Sequence, residues 1–200
     1  QNLSAYRRKT TFMIHILSNK FDLELPKRVY LIGSGKSINQ THQRIPEDEY
    51  KIYLNGAVTL EHAKPDLWFA HCQNNLKHDW WKPAYKENYT ISMFGDFITS
   101  RGYISKYFFN FHTDLPRLGV VTGTTVAGIA MQLFPHLGVE EMVLAGIDLS
   151  DSYRFDGSFN PKNSDDKWTN IVKTLDKVID RTTTCSYFSL GETRLNIQCI

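Results

Sequence analysis

The sequence has little cysteine: three residues in 200, Cys72, Cys185 and Cys199, far apart and without a C-x-x-C spacing. That count and spacing exclude a disulfide framework and favour a reducing compartment, so a cytoplasmic location is expected. No pair of histidines shows the H-x-x-x-H spacing of a zinc site, and no structural metal is expected. No apolar run approaches the roughly 18 residues that a membrane-crossing helix needs. Charge of one sign is lacking too. With 23 basic and 21 acidic residues the formal net charge is +2, far from the basic footprint of a nucleic-acid binder, so no nucleic acid is expected as partner. Internal repeats, low-complexity tracts and linkers are missing from residues 26–200, which read as one domain. The chain opens on Gln1, which leaves a longer parent protein open.

Apolar residues are plentiful: 42% hydrophobic and 13% aromatic suffice for a single core. Residues 1–25 stand apart. Within them AYRRKTTFMIHILSN, residues 5–19, runs from three cations into Phe12, Met13, Ile14, Ile16 and Leu17, the pattern of a basic amphipathic helix. Such a helix either caps the core or docks on a membrane surface or partner. From Arg28 onward short apolar runs alternate with longer segments: RVYLIG, YKIYLNG, DLWFAH, YTISMF, LGVVTG, EMVLAGIDL and CSYFSL. This alternation predicts an α/β, Rossmann-like fold with a mostly parallel sheet flanked by helices. One flanking helix is expected over residues 124–137, with Pro135 bending its last turn and Gly138 ending it. Another is expected over 165–180, with Ser164 as N-cap and two aspartates in the first turn.

Two stretches carry chemistry. VYLIGSGKSIN, residues 29–39, runs a strand into Gly33-Ser34-Gly35-Lys36-Ser37. A Walker A loop would need glycine where Tyr30 stands, and the dinucleotide fingerprint would need it at Ile38, so neither motif is met. What remains is a flexible turn whose backbone N–H groups can approach an anion at the carboxyl end of a first strand. The second stretch, residues 119–150, places Thr122, Gly123, Thr124 and Thr125 at a helix start, an anion site by geometry and dipole. It then ends a strand at Gly146-Ile147-Asp148, which puts the Asp148 carboxylate at the same edge of the sheet.

Taken together, a first strand ending in G-x-G-x-S, a second ending in Asn55, and a T-G-x-x helix followed by a strand ending in G-I-D resemble the bacterial sialyltransferases of glycosyltransferase family 42. Their relatives in the DUF115 group, flagellin-glycosylation accessory factors and archaeal pterin pyrophosphokinases among them, share the pattern. The resemblance spans roughly residues 28–190 and is strongest over 119–155. It implies a GT-A-type domain that takes a CMP-activated sugar acid as donor and needs no metal or other cofactor. It implies that Gly33, Ser34, Gly35 and Ser37 contact the nucleotide and its phosphate, and that Asn55 reaches the donor. By the same resemblance Thr122 and Gly123, with Thr124 beside them, stand where the family binds the sugar's carboxylate, and Tyr153 steadies the leaving phosphate. Ser34 and Lys36 depart from the Asn and Pro that the family loop carries.

The family's histidine base has no counterpart, because residues 137–200 contain no histidine. Rough alignment of the last helix brings Asp165 or Asp166 to that place. Either can act as general base, or simply complement the helix dipole. His71 and His112, each closing an apolar run, are further candidates for acid, base or ligand, with a structural role open for both. Residues 71–89, rich in aromatics and amides, suit a glycan-binding wall as well as plain packing of Trp80 and Trp81. The expected activity is inverting transfer of sialic acid, another nonulosonic acid or Kdo to a glycan or glycolipid acceptor, as in lipopolysaccharide biosynthesis. Peripheral contact with the inner membrane and oligomerisation stay open. Two alternatives remain: a pterin pyrophosphokinase-like enzyme with ATP and magnesium held by Asp148 or Asp114, and a non-catalytic nucleotide-binding domain of a larger glycosylation protein.

Overall fold

The computed structural model describes residues 25–61, 63–71, 91–94, 107–109, 114–121, 124–149, 154–158 and 165–200. Its strands are β1 (Arg28–Ile32), β2 (Lys51–Leu54), β3 (Leu67–His71), β4 (Ile91–Phe94), β5 (Tyr107–Phe109), β6 (Glu141–Ala145), β7 (Ser186–Ser189) and β8 (Gln198–Cys199). They form one eight-stranded sheet in the order β5-β4-β3-β2-β1-β6-β7-β8, and every pairing is parallel. The helices are α1 (Ile38–Thr41), α2 (Asp114–Arg117), α3 (Val126–Leu133) and α4 (Asp165–Arg181). This is the α/β arrangement expected from the alternation of apolar runs.

The central strands β1, β2, β3 and β6 bury both faces, as a parallel sheet does, and successive residues divide between two cores. Val29 and Leu31 of β1, Leu67 and Phe69 of β3, and Met142 and Leu144 of β6 face one side. There they meet Ile129 and Leu133 of α3 and Ile171 and Leu175 of α4. The Phe69 ring meets Phe134 edge-on, 5.1 Å between centroids. Tyr30, Ile32, Tyr53, Trp68, Val143 and Ala145 face the other side, under Ile38 of α1 and the turn residues Ala57 and Val58.

The first expected helix is α3 followed by a 3-10 turn at Phe134–Leu137, with Pro135 entering that turn and Gly138 ending it at φ 90°. Proline supplies no N–H to continue an α-helix, so the tighter turn takes over. The small residues of α3 serve different neighbours. Ala127 and Ala130 lie in the sheet-facing core, whereas Gly128 is the close approach to α4: a Cβ there would lie 2.7 Å from Leu175 Cδ2.

One expected strand is absent. LGVVTG forms no strand in its described part: Gly119 turns the chain at φ 77° after α2, and Val120 and Val121 lie outside the sheet. Both edges of β1 are taken by β2 and β6. The backbone of Val121 is met instead by a side chain, with its N–H donating to Gln132 Oε1 at 2.8 Å and its carbonyl accepting from Gln132 Nε2 at 3.2 Å. The short strands β5 and β8 were not among the expected strands: β5 lies in the apolar run that His112 closes, and β8 is two residues long.

Candidate functional site

The strand order turns outward in both directions from β1 and β6. Chain order ascends from β1 through β2 toward β5 on one side and from β6 toward β8 on the other. The loops leaving β1 and β6 therefore diverge, and the crevice between them at the carboxyl edge is where open α/β sheets take ligands. Both glycine motifs lie there.

The loop after β1 is held against the end of β6 by backbone. Gly33 N–H donates to Ala145 O at 2.8 Å and Gly35 N–H to Gly146 O at 2.7 Å. The approach tolerates no side chain: a Cβ on Gly35 would lie 2.6 Å from Asp148 Cγ, and one on Gly33 would strike Gly146 O. Gly146 itself stands at φ 64°, with Gly33 O 2.7 Å from where its own Cβ would be. Asp148 accepts from Ser37 N at 3.0 Å and from Ser37 Oγ in a short hydrogen bond. Its carboxylate thus caps the turn into α1 from across the crevice, and both its oxygens are engaged. The Ser34 N–H has no acceptor among the described residues, and Lys36 is exposed.

Two other sequence candidates sit at this edge. Asn55 directly follows β2 with φ 47°, and its carbonyl accepts from Trp68 Nε1 at 2.9 Å. Together with Leu149 at φ 53°, it is a non-glycine residue in the left-handed region, and each follows a strand of the crevice. Helix α3 leads through a turn to the start of β6, so its own start, with Thr124 and the N-cap Thr125, turns to the carboxyl edge. Thr125 Oγ1 accepts from Gly128 N at 3.1 Å.

Helix α4 likewise leads into β7 and begins, at Asp165, on the same side. Arg194 ties its first turns to the crevice: the backbone N–H donates to Asp148 O at 3.1 Å and Nη2 to Thr169 Oγ1 at 2.9 Å. Asp166 is exposed. His71 closes β3 at the carboxyl edge. Thr122, Gly123, Tyr153, His112 and residues 72–90 lie outside the described residues, as does the expected N-terminal helix.

The structure adds one segment that the sequence reading passed over. Residues 154–158 fold back in a tight turn, with Gly157 N–H on Arg154 O at 3.0 Å and Arg154 N–H on Ser158 O at 3.0 Å. A hydrogen bond from Ser158 holds the Asp156 carboxyl below its ordinary pKa. The turn clasps the β1 loop: Arg154 pairs with Gly35 in an antiparallel bridge, Phe155 N–H donates to Ser34 O at 3.0 Å, and Asn39 Nδ2 donates to Phe155 O at 2.9 Å. The Asp156-Gly157 pair was the available signal, since D-G marks a reversal.

A cavity of about 730 Å³ opens on residues that begin β1 and β2, including Arg28, His42, Tyr50, Lys51, Tyr53 and Asp66. Two of its cations are already engaged. Arg28 pairs with Glu141 at 2.8 Å, and Lys51 Nζ donates to the carbonyls of Glu47 and Glu49 at 2.6 and 2.9 Å. The carboxyl-edge crevice is the better candidate. Among the described residues no group of three His, Cys, Asp or Glu side chains is placed to hold a metal, and no helix is long and apolar enough to cross a membrane.

Fold and site together define an α/β domain with a loop-lined crevice at the switch point of a parallel sheet. Solved structures with this fold include the sialyltransferase CstII from Campylobacter jejuni in complex with the substrate analogue cytidine-5'-monophosphate, with a TM-score of 0.52 over 82% of this chain and 80% of that one. The same enzyme with CMP-3FNeuAc gives a TM-score of 0.50 over 88% of each chain. Sequence identity is 14% in both, so the likeness is one of fold. No family model matches the chain, and no curated protein matches it in sequence.

Proposed function

We propose that this chain is a glycosyltransferase that moves a sugar acid from a CMP-activated donor to a glycan or glycolipid acceptor. The observation that carries the reading is the joining of the Gly33–Ser37 loop to the end of β6 at the switch point, in a fold shared with a sialyltransferase solved with CMP. Departure of CMP develops charge on its phosphate and leaves an oxocarbenium-like sugar. Fixed N–H groups and hydroxyls around the phosphate stabilise that charge without reorganising. Ser34, Asn55 and the Thr122–Thr124 loop supply them, with Tyr153 at the leaving group, while both donors of Ser37 go to Asp148 and set the turn rather than meeting the phosphate. No metal is needed in this scheme.

The acceptor hydroxyl needs a base on the opposite face of the sugar, and Asp165 or Asp166 at the start of α4 fills that role, giving direct displacement with inversion. The tie from Arg194 to both Asp148 and Thr169 supports this assignment by fixing the first turns of α4 beside the crevice. The enzyme would work at the cytoplasmic face of the inner membrane, where lipid-linked acceptors are reached.

Thermal unfolding of the chain with millimolar CMP or CDP in EDTA, and separately with ATP and magnesium, tests the reading. A ligand at 100 times its dissociation constant adds about 2.7 kcal/mol. Stabilisation by the cytidine nucleotides without metal is expected. Stabilisation by ATP with magnesium alone overturns the reading in favour of phosphoryl transfer. A chain that binds CMP but transfers no sugar from any CMP-activated donor is the non-catalytic domain.

A further inference from the structure

Arg154 lies beside the loop that follows β1, and among the described residues its guanidinium is in no ion-pair or hydrogen-bond contact. Its partner in the antiparallel bridge is Gly35, and cross-strand partners project to the same face of their ribbon. At Gly35 that face is marked by what a Cβ would meet: the Asp148 carboxyl, 2.6 Å away at Cγ. Arg154 therefore projects to the side of the turn where β6 ends and the crevice opens. Its Nε is enclosed and has no hydrogen-bond partner among the described residues. Among the described residues no carboxylate is in ion-pair contact with its guanidinium: the Asp148 oxygens accept from Ser37, and Asp156 accepts from Ser158 N at 2.9 Å, its carboxyl held low by the Ser158 hydrogen bond and, to a smaller extent, by the Arg154 charge. The guanidinium carbon lies 5.8 Å from the centroid of the Phe155 ring. Phe155 in turn is fixed by Ser34 O and Asn39. A buried guanidinium N–H without an acceptor is costly, and an incoming anion relieves that cost.

We infer that Arg154 is the cationic contact for the phosphate of the nucleotide bound in this crevice, placed there by its bridge to Gly35. The inference rests on the proposed nucleotide site and adds a residue to it. It also gives Lys36 a smaller part: Lys36 is exposed, so its ammonium stays hydrated, whereas Arg154 is partly buried with its Nε enclosed, so its guanidinium is already partly desolvated.

The test compares nucleotide with nucleoside. Calorimetric affinities for CMP, cytidine, ATP with magnesium and adenosine are measured on the wild type, Arg154→Gln and Arg154→Lys. Loss of one charge-assisted contact predicts CMP binding weakened about 10- to 100-fold in Arg154→Gln, with Arg154→Lys between it and the wild type. Cytidine affinity is unchanged in both, which also reports that the variants are folded. If ATP binds in place of CMP, the CMP reading falls, and the same contrast of ATP against adenosine still supports Arg154. Equal weakening for nucleotide and nucleoside, or no weakening for either, overturns the inference. Failure of the wild type to bind any of the phosphate-bearing probes overturns both.

Discussion

Gly35 shows how one missing atom organises the site. Its place in the bridge to Arg154 and its hydrogen bond to Gly146 O bring the loop so close to Asp148 that a methyl group would overlap the carboxyl carbon at 2.6 Å. Gly35→Ala must push Asp148 away and so break its bonds to Ser37. Overpacking of this kind costs about 1–3 kcal/mol, and urea unfolding should show that loss. Calorimetry should show weaker nucleotide binding as well, since the same carboxylate sets the turn into α1. Unchanged stability with unchanged binding would mean that the loop is not held as described.

Gln132 is the second residue whose identity has a local reason. It is buried in α3, yet its amide serves Val121 N–H at 2.8 Å, Val121 O at 3.2 Å and Gly128 O at 2.8 Å. Gln132→Met keeps the volume and removes all three contacts. An unsatisfied backbone group costs about 1–3 kcal/mol. Because Val121 is 47% exposed and water can reach it, the lower end is expected in urea unfolding. Chain order makes the functional consequence local: Val121 leads directly to Thr122 and Gly123, so donor binding should weaken more than this stability change accounts for. A variant that loses stability and keeps nucleotide affinity would assign Gln132 to the core alone.

At the scale of elements, α3 is defined by its start. Thr125 is in extended conformation with its Oγ1 accepting from Gly128 N, and the helix is buried over all but its first residue. Thr125→Ala removes the cap and should cost about 1 kcal/mol, seen as a lower midpoint in urea. Thr125→Ser should recover most of it. The sequence made this helix legible because a Thr-Gly turn, an apolar run, Pro135 and Gly138 all act locally. The central strands were legible for the same reason, as near-continuous apolar runs between turn residues. Val120-Val121 reads like those strands. Whether a run joins a sheet depends on where its backbone finds partners, and Val121 finds them in the Gln132 amide. The clasp of residues 154–158 on Gly35 was hidden for a related reason, since a contact across more than a hundred residues leaves no periodicity behind. The glycine loop and Asp148 were each visible in sequence; the hydrogen bonds joining Asp148 to Ser37 were not.

Across the whole molecule, one face of the sheet is closed by α3 and α4 over β6 and β7, and two titratable groups lie in that closure. Tyr187 donates to Met131 O at 2.8 Å, fastening β7 to α3, and Cys185 is buried just before β7. Burial pushes the Cys185 thiol up to about 12 from an ordinary 9.0, and it pushes Tyr187 upward from 10.0. Both are therefore neutral in the folded chain over a range where the unfolded chain ionises. Their stabilisation is complete below the unfolded values. It declines from pH 9 for Cys185, which stops contributing further loss near pH 12, and from pH 10 for Tyr187. In that window the unfolded state holds fewer protons, so the unfolding free energy falls by about 1.4 kcal/mol per pH unit for each titrating group. Urea unfolding from pH 8 to 10.5 should thus show a decline beginning near 9 and steepening above 10. Cys185→Val should remove the part that begins near pH 9 and leave the steeper part. In a Cys72→Ser background a thiol reagent at pH 8 should modify the exposed Cys199 at once and Cys185 only as the chain unfolds, because the reactive species is the thiolate. A flat stability profile through pH 10, or prompt modification of both thiols, would show that α3 and α4 do not close over β7 as a single cooperative core.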